Sequence, residues 1–264
     1  VSAAAVQVDA GSTTIRFYYL KIRFMKRLLI LGALLPALAF AQEDYAIKGK
    51  VGTLNTPAKV YLQFNDGGQN RLDSSAVNNG EFSFKGSVKE PVQAYMVLSA
   101  EGKALRELQN PDYGTIYLSK GNLSVTGSSL KQAKVEGNAI NADYNKYIDA
   151  GKSISEQMDA INSEYYAAPD EKKEDEAFVK GLQDRMKALY DSKEQVDVDF
   201  IKSNSSSYVS LSLLNEKISS ENVLDLANAF DKLSSELKNS SKGKELNNKI
   251  SQLKTLAVGA VAPD

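Results

Sequence analysis

With 0 Cys and 0 His in its 264 residues, the chain has no dithiol, thiolate or imidazole to work with, which excludes Ser-His-Asp and Cys-His sites and leaves a Ser-Lys nucleophile pair as the main survivor. Ser-x-x-Lys occurs at Ser128 and Lys131, Ser235 and Lys238, and Ser251 and Lys254. In a Ser- and Lys-rich chain with no Ser-Asp-Asn or Lys-Thr-Gly companion, these three read as coincidence. Asp66, Asp73 and Glu81 are candidate paired carboxylates for acid–base work on a glycoside, yet no spacing singles out a pair, and solvated turn positions explain them. Asp197-Val198-Asp199 has the start of a calcium loop without its Gly and terminal Glu; it continues a helical stripe and reads as an exposed face. Asp66-Gly67-Gly68 lacks the following helix and lysine of a phosphate cradle, which leaves a hairpin turn. Zinc would need an all-carboxylate set. No catalytic, cofactor-binding or metal residue is assigned, and no cofactor is expected.

The elements that would carry such residues begin after a processing signal. Met25-Lys26-Arg27, the apolar run Leu28 to Leu35, Pro36 and the small-x-small Ala39-Phe40-Ala41 form a secretion signal with cleavage before Gln42. The apolar run is too short to span a membrane. Residues 1–24 lie upstream of that methionine, have no fold pattern, and read as a non-native leader. Removal of residues 1–41 takes the 32 basic residues to 27 and the 33 acids to 32, a net charge of −5 in place of −1. An acidic product argues against nucleic acid as a partner, because phosphate binding calls for a basic face. Without a lipid-anchoring cysteine, the expected product is periplasmic, not lipidated and free of the membrane.

From Tyr45 to Val135 the hydrophobic period is two. Tyr45 to Val51, Val60 to Phe64, Leu72 to Val77, Glu81 to Lys85, Val92 to Leu98, Thr115 to Leu118, Leu123 to Thr126 and Lys131 to Val135 read as strands. Asn79-Gly80 is placed as a hairpin turn and Gly121-Asn122 as the turn of another pair. After Gly137-Asn138 the period becomes helical, through Ile140 to Tyr165 and Phe178 to Phe200, broken at Pro169-Asp170. Shorter helices fit Tyr208 to Lys217, Asn222 to Leu237 and Lys244 to Leu256. The expected fold is α+β: an antiparallel β-sandwich or partly open barrel over 42–137, then an antiparallel helical region over 138–257. Most of the 13 tyrosines fall on inward stripes, and a few are placed to line a recognition groove.

Tyr45-Ala-Ile-Lys-Gly-Lys-Val51, the Lys59-Val-Tyr-Leu62 strand, Asn78-Asn-Gly-Glu-Phe-Ser-Phe-Lys-Gly86, Val135-Glu-Gly-Asn138 and the closing Val258-Gly-Ala-Val-Ala-Pro-Asp264 occur in that order behind a signal peptide. The arrangement resembles the N-terminal β-domain of unknown function and helical spacer of exported thioredoxin-like thiol-disulfide oxidoreductases of the alkyl hydroperoxide reductase/thiol-specific antioxidant type. On that resemblance, residues 258–264 are expected to be the truncated start of a thioredoxin-like domain, cut before the Cys-x-x-Cys that does the chemistry in that family. The resemblance implies a non-catalytic module that positions, dimerises or selects substrates for such a domain, with a second copy or a periplasmic protein substrate as partner. The alternatives are a stand-alone periplasmic peptide- or glycan-binding protein and, last, an enzyme using carboxylates.

Overall fold

A computed structural model describes residues 43–219 and 222–255. The expected leader, signal peptide, cleavage site and Val258–Asp264 tail lie outside the described residues. Strands β1 (Glu43–Val51), β2 (Lys59–Asp66), β3 (Gln69–Ala76), β4 (Glu81–Val88), β5 (Val92–Ser99), β6 (Asp112–Leu118), β7 (Gly121–Gly127) and β8 (Lys134–Glu136) form two four-stranded sheets, ordered β4-β1-β7-β8 and β3-β2-β5-β6. The α+β expectation holds, and the sandwich form of it: the two sheets face each other and do not close into a barrel. Alternation explains the facing, since Ile47, Leu62, Phe84, Met96, Ile116 and Val125 turn into one core while the residues between them point to the opposite face of their sheet.

Two turn assignments need correction. Asn79 and Gly80 do make a two-residue turn at φ 48° and 76°, with the Asn78 and Glu81 backbones exchanging bonds of 3.0 and 2.8 Å. The strands it joins nevertheless belong to different sheets, so it is a corner of the sandwich rather than a hairpin. Gly121-Asn122 turns no pair either, because β6 ends on one sheet and β7 begins on the other. Strand β7 instead lies parallel to β1, in register from Tyr45 opposite Gly121 to Val51 opposite Gly127. Gly67 and Gly68, at φ 60° and 86°, do close a true hairpin with Asp66 opposite Gln69.

The helical part comprises α1 (Ala139–Ala167), α2 (Asp170–Lys173), α3 (Glu176–Ser203), α4 (Tyr208–Lys217), α5 (Val223–Asp231), α6 (Ser235–Asn239) and α7 (Ser241–Lys254). The single helix expected over 222–237 is two, because the Ser234 hydroxyl accepts the Leu237 N–H and restarts the chain as an N-cap. Helices α1 and α3 form the long hairpin, tied near its turn by Arg185 to Glu164 at 2.7 Å. Helix α4 is buried on every side from Tyr208 to Leu214 and is the axis of a second core.

The sandwich core is made of sandwich side chains alone. The helical core takes in one residue from the sheets, Tyr117 of β6. At the junction Gly137 sits at φ +117°, and a Cβ there would lie 2.0 Å from the Asn122 carbonyl oxygen. Gly137→Ala should therefore cost roughly 2–4 kcal/mol, through backbone strain plus a clash with main chain that has little freedom to move, read as a lowered urea midpoint.

Candidate functional site

None of the Ser-x-x-Lys spacings makes a pair. Ser128 Oγ donates to Gln132 at 2.8 Å while Lys131 bonds Asp159 at 2.7 Å. Lys238 donates to the Asp231 carbonyl, and Ser251 to that of Asn247. The three carboxylates also stay apart in their bonding: Asp66 accepts the Lys89 N–H at 3.4 Å, Asp73 the Ser74 N–H at 2.7 Å, and Glu81 faces Lys50 at 3.6 Å.

Asp197 is the residue whose place differs most from expectation. Read as part of an exposed face, it is only 4% exposed and sits at the centre of a charged cluster between α1, α3 and α4. Its Oδ1 accepts the Tyr147 hydroxyl at 2.7 Å and Lys193 Nζ at 2.8 Å, and its Oδ2 takes Lys217 at 2.8 Å. Lys217 also reaches Glu194 at 2.5 Å, and the Lys193 ammonium lies 4.6 Å from the Tyr147 ring centroid. Asp199, by contrast, is exposed and accepts Gln195. The signal for the cluster was present in the chain, since Lys193 and Asp197, one helical turn apart, stand on the apolar stripe between Leu189 and Phe200.

The electrostatics of the cluster favour fixed charges. Burial pushes the Asp197 carboxyl up, but the bonds from Lys193, Lys217 and Tyr147 outweigh it and hold the group below the ordinary aspartate range. Burial pulls Lys217 down, and Asp197 and Glu194 more than reverse it. Burial, and then the hydrogen bond to Asp197, push the Tyr147 hydroxyl far up. A tyrosine that keeps its proton beside a carboxylate that stays ionised is a clamp and offers neither acid nor base near neutral pH.

A second polar group lies where β6 meets the helices. Rings run from Tyr117 to Tyr144 at 5.4 Å, on to Tyr147 at 6.1 Å and Phe200 at 5.3 Å, linking the sheet to α3. Lys242 of α7 donates to Ser212 Oγ of α4 at 3.2 Å, and Ser212 also hydrogen-bonds the Tyr117 hydroxyl. Burial pulls Lys242 down, opposed by Glu216 and Glu245, and pushes Tyr117 far up. This serine–lysine contact joins residues on two helices and has no signature in local spacing. Ser212 is 1% exposed, so its hydroxyl is sealed from any substrate and serves to satisfy buried polar groups.

The joint itself is made by two asparagines. Asn141, with no exposed surface, accepts the Tyr117 N–H at 2.9 Å and donates to the Tyr117 carbonyl at 2.8 Å, as a neighbouring strand would. Asn138 caps α1 through the Asn141 N–H at 2.7 Å and reaches the Tyr117 carbonyl at 3.1 Å. Residues 45–144 match the family model DUF4369, described as a domain of unknown function. The matched DUF4369 segment runs through β8 and takes in Asn138, Asn141 and Tyr144, so the joint belongs to it, while the Asp197 cluster draws on helices beyond it. No curated protein and no solved structure matches the chain.

Among the described residues, no group of three or more acids is placed to hold a metal ion, and no helix is long and apolar enough to cross a membrane. An open surface depression lined by Glu174, Val179, Lys180 and Gln183 near the start of α3 includes none of the clustered side chains.

Proposed function

We propose that the chain is a non-catalytic scaffold, exported to the periplasm, that positions a thioredoxin-like redox domain or selects substrates for it. The observation that carries this reading is the bonding of the polar side chains at the helical junction. Tyr147, Asp197, Lys193, Lys217, Ser212 and Asn141 each hold another element in place. Such networks stiffen a frame and leave no poised nucleophile. The link to oxidoreductases rests on the resemblance carried by the order of the sequence motifs behind a signal peptide, and the net charge of −5 after processing fits a partner other than nucleic acid.

The test is the reading frame that follows the Asp264 codon. An open frame encoding Cys-x-x-Cys is the expected result; an immediate stop with no such remnant contradicts the oxidoreductase link. Purified protein of this sequence should reduce no insulin disulfides, and thiol-dependent turnover by cysteine-free material would contradict the scaffold reading.

A second reading, a peptide- or glycan-binding protein, draws on one feature. Tyr95 and the 57%-exposed Tyr113 stand on the face of β5 and β6 beside Gln93, which donates to Tyr95 and Glu216 at 3.2 Å each. Aromatic faces next to amide and carboxylate groups suit a sugar or a peptide backbone.

A further inference from the structure

Strand edges expose unpaired backbone groups, and on three of the four edges here a side chain from another element meets at least one of them. On β6, Asn141 takes both polar groups of Tyr117, and the Asp112 carboxylate holds the loop that follows β7 through the Leu130 and Lys131 N–H groups at 2.7 and 2.9 Å. On the short β8, Asn145 of α1 takes the Val135 carbonyl at 2.7 Å. On β4, the Ser83 N–H goes to Ser75 Oγ at 3.1 Å. Strand β3 supplies that Ser75 side chain and forms the remaining edge. It pairs with β2 without a bulge from Lys59 opposite Ala76 to Asp66 opposite Gln69, and nearly all of it is exposed, with Leu72 at 62%.

Its register fixes what the open edge offers. Because Asp66 and Gln69 flank a two-residue turn, the ladder bonds to β2 fall at Gln69, Arg71, Asp73 and Ser75. The N–H and C=O groups of Asn70, Leu72 and Ser74 therefore point away from the sheet. The Ser74 N–H is met by its neighbour Asp73, as an outward group would be. The strand carries two charges, Arg71 and Asp73, and among the described residues neither forms an ion pair: Arg71 reaches only the Gln69 side chain, at 3.2 Å.

We propose that β3 pairs antiparallel with β3 of a second copy about a two-fold axis at Leu72, joining the two β3-containing sheets into one. In that register Leu72 faces Leu72, and Asn70 faces Ser74, which are the positions with outward backbone groups. Arg71 then falls opposite Asp73 twice, at the closer, non-hydrogen-bonded positions. Asp73 exchanges its local bond to Ser74 for the partner's guanidinium. The pattern is self-complementary only at this register, since a shift by two residues separates both ion pairs. The dimer deepens the scaffold reading by setting two attached domains at a fixed spacing, but it stands on β3 alone, and its failure would leave the reading-frame test untouched.

The interface is small, so the dimer should be weak, with association visible by analytical ultracentrifugation between about 10 and 500 µM. Arg71→Asp and Asp73→Arg, each alone, put like charges opposite one another and should sediment as monomers. Mixed in equal amounts they should form a heterodimer, because each supplies the charge the other needs. The double exchange should restore self-association. A wild-type protein that stays monomeric across this range, a dimer that either single exchange leaves intact, or a mixture that fails to associate would overturn the proposal.

Discussion

Asp197→Asn should lower stability by about 2–3 kcal/mol at neutral pH. Breaking a buried ion pair commonly costs roughly 3–5 kcal/mol, and the smaller figure reflects lysines that keep some water: the Lys217 and Lys193 side chains are 20% and 32% exposed. The amide keeps an acceptor for Tyr147, so what the substitution removes is the charge that balances two ammonium groups. The loss should depend on pH with a definite sign. Asp197 has a lowered folded pKa, so its stabilisation is present above the ordinary aspartate value of about 3.9 and is lost as pH falls through the lower folded value. Lys217 has a raised folded pKa, so its part is present below the ordinary lysine value of about 10.4 and is lost as pH rises through the higher folded value. The gap between wild type and variant in urea midpoint should be widest between these limits and close toward both ends. A gap that widens in acid would contradict the assignment.

Asn141→Leu should cost a similar amount, about 2–3 kcal/mol, for a different reason. The Tyr117 carbonyl keeps Asn138 as a donor at 3.1 Å, but the Tyr117 N–H is left buried with no acceptor. Asn141→Asp should cost at least as much: it retains the acceptor yet sets a buried charge against the Tyr117 carbonyl that Asn141 Nδ2 now serves. Urea denaturation checks the magnitude. The location of the damage is also expected, since the helices should loosen from the sheet before the sandwich core is disturbed.

The eight strands were legible because alternation needs only local sequence, and Val60, Leu62 and Met96 fall on the core side as their spacing requires. Partners were not legible in the same way. Residues that alternate toward a shared core look alike on either sheet, so Asn79-Gly80 and Gly121-Asn122 suggested hairpins where the chain crosses between sheets, and nothing local marked β1 and β7 as parallel. Helix α4 was located at its true ends, but its all-round burial was hidden by Ser210 and Ser212, whose hydroxyls find partners at the Asn204 carbonyl and Lys242. Asp197 differs from expectation because a carboxylate on a helix is usually solvated, and the lysine one turn earlier on the same stripe is the local sign of its burial. The contact between Ser212 and Lys242 is tertiary and has no local signature.

The sandwich core is made wholly of its own side chains, whereas the helical core depends on Tyr117 from β6 and on the asparagine joint. Native-state hydrogen exchange of the intact chain in rising urea tests this asymmetry directly. The amides of α1, α3 and α4 should open together in a step of lower free energy, with those of β1, β2 and β5 exchanging only in global unfolding, and Asn141→Leu should lower the first step selectively. Strand amides that exchange ahead of the helices, or a variant that lowers both steps equally, would contradict a self-sufficient sandwich carrying a dependent helical layer.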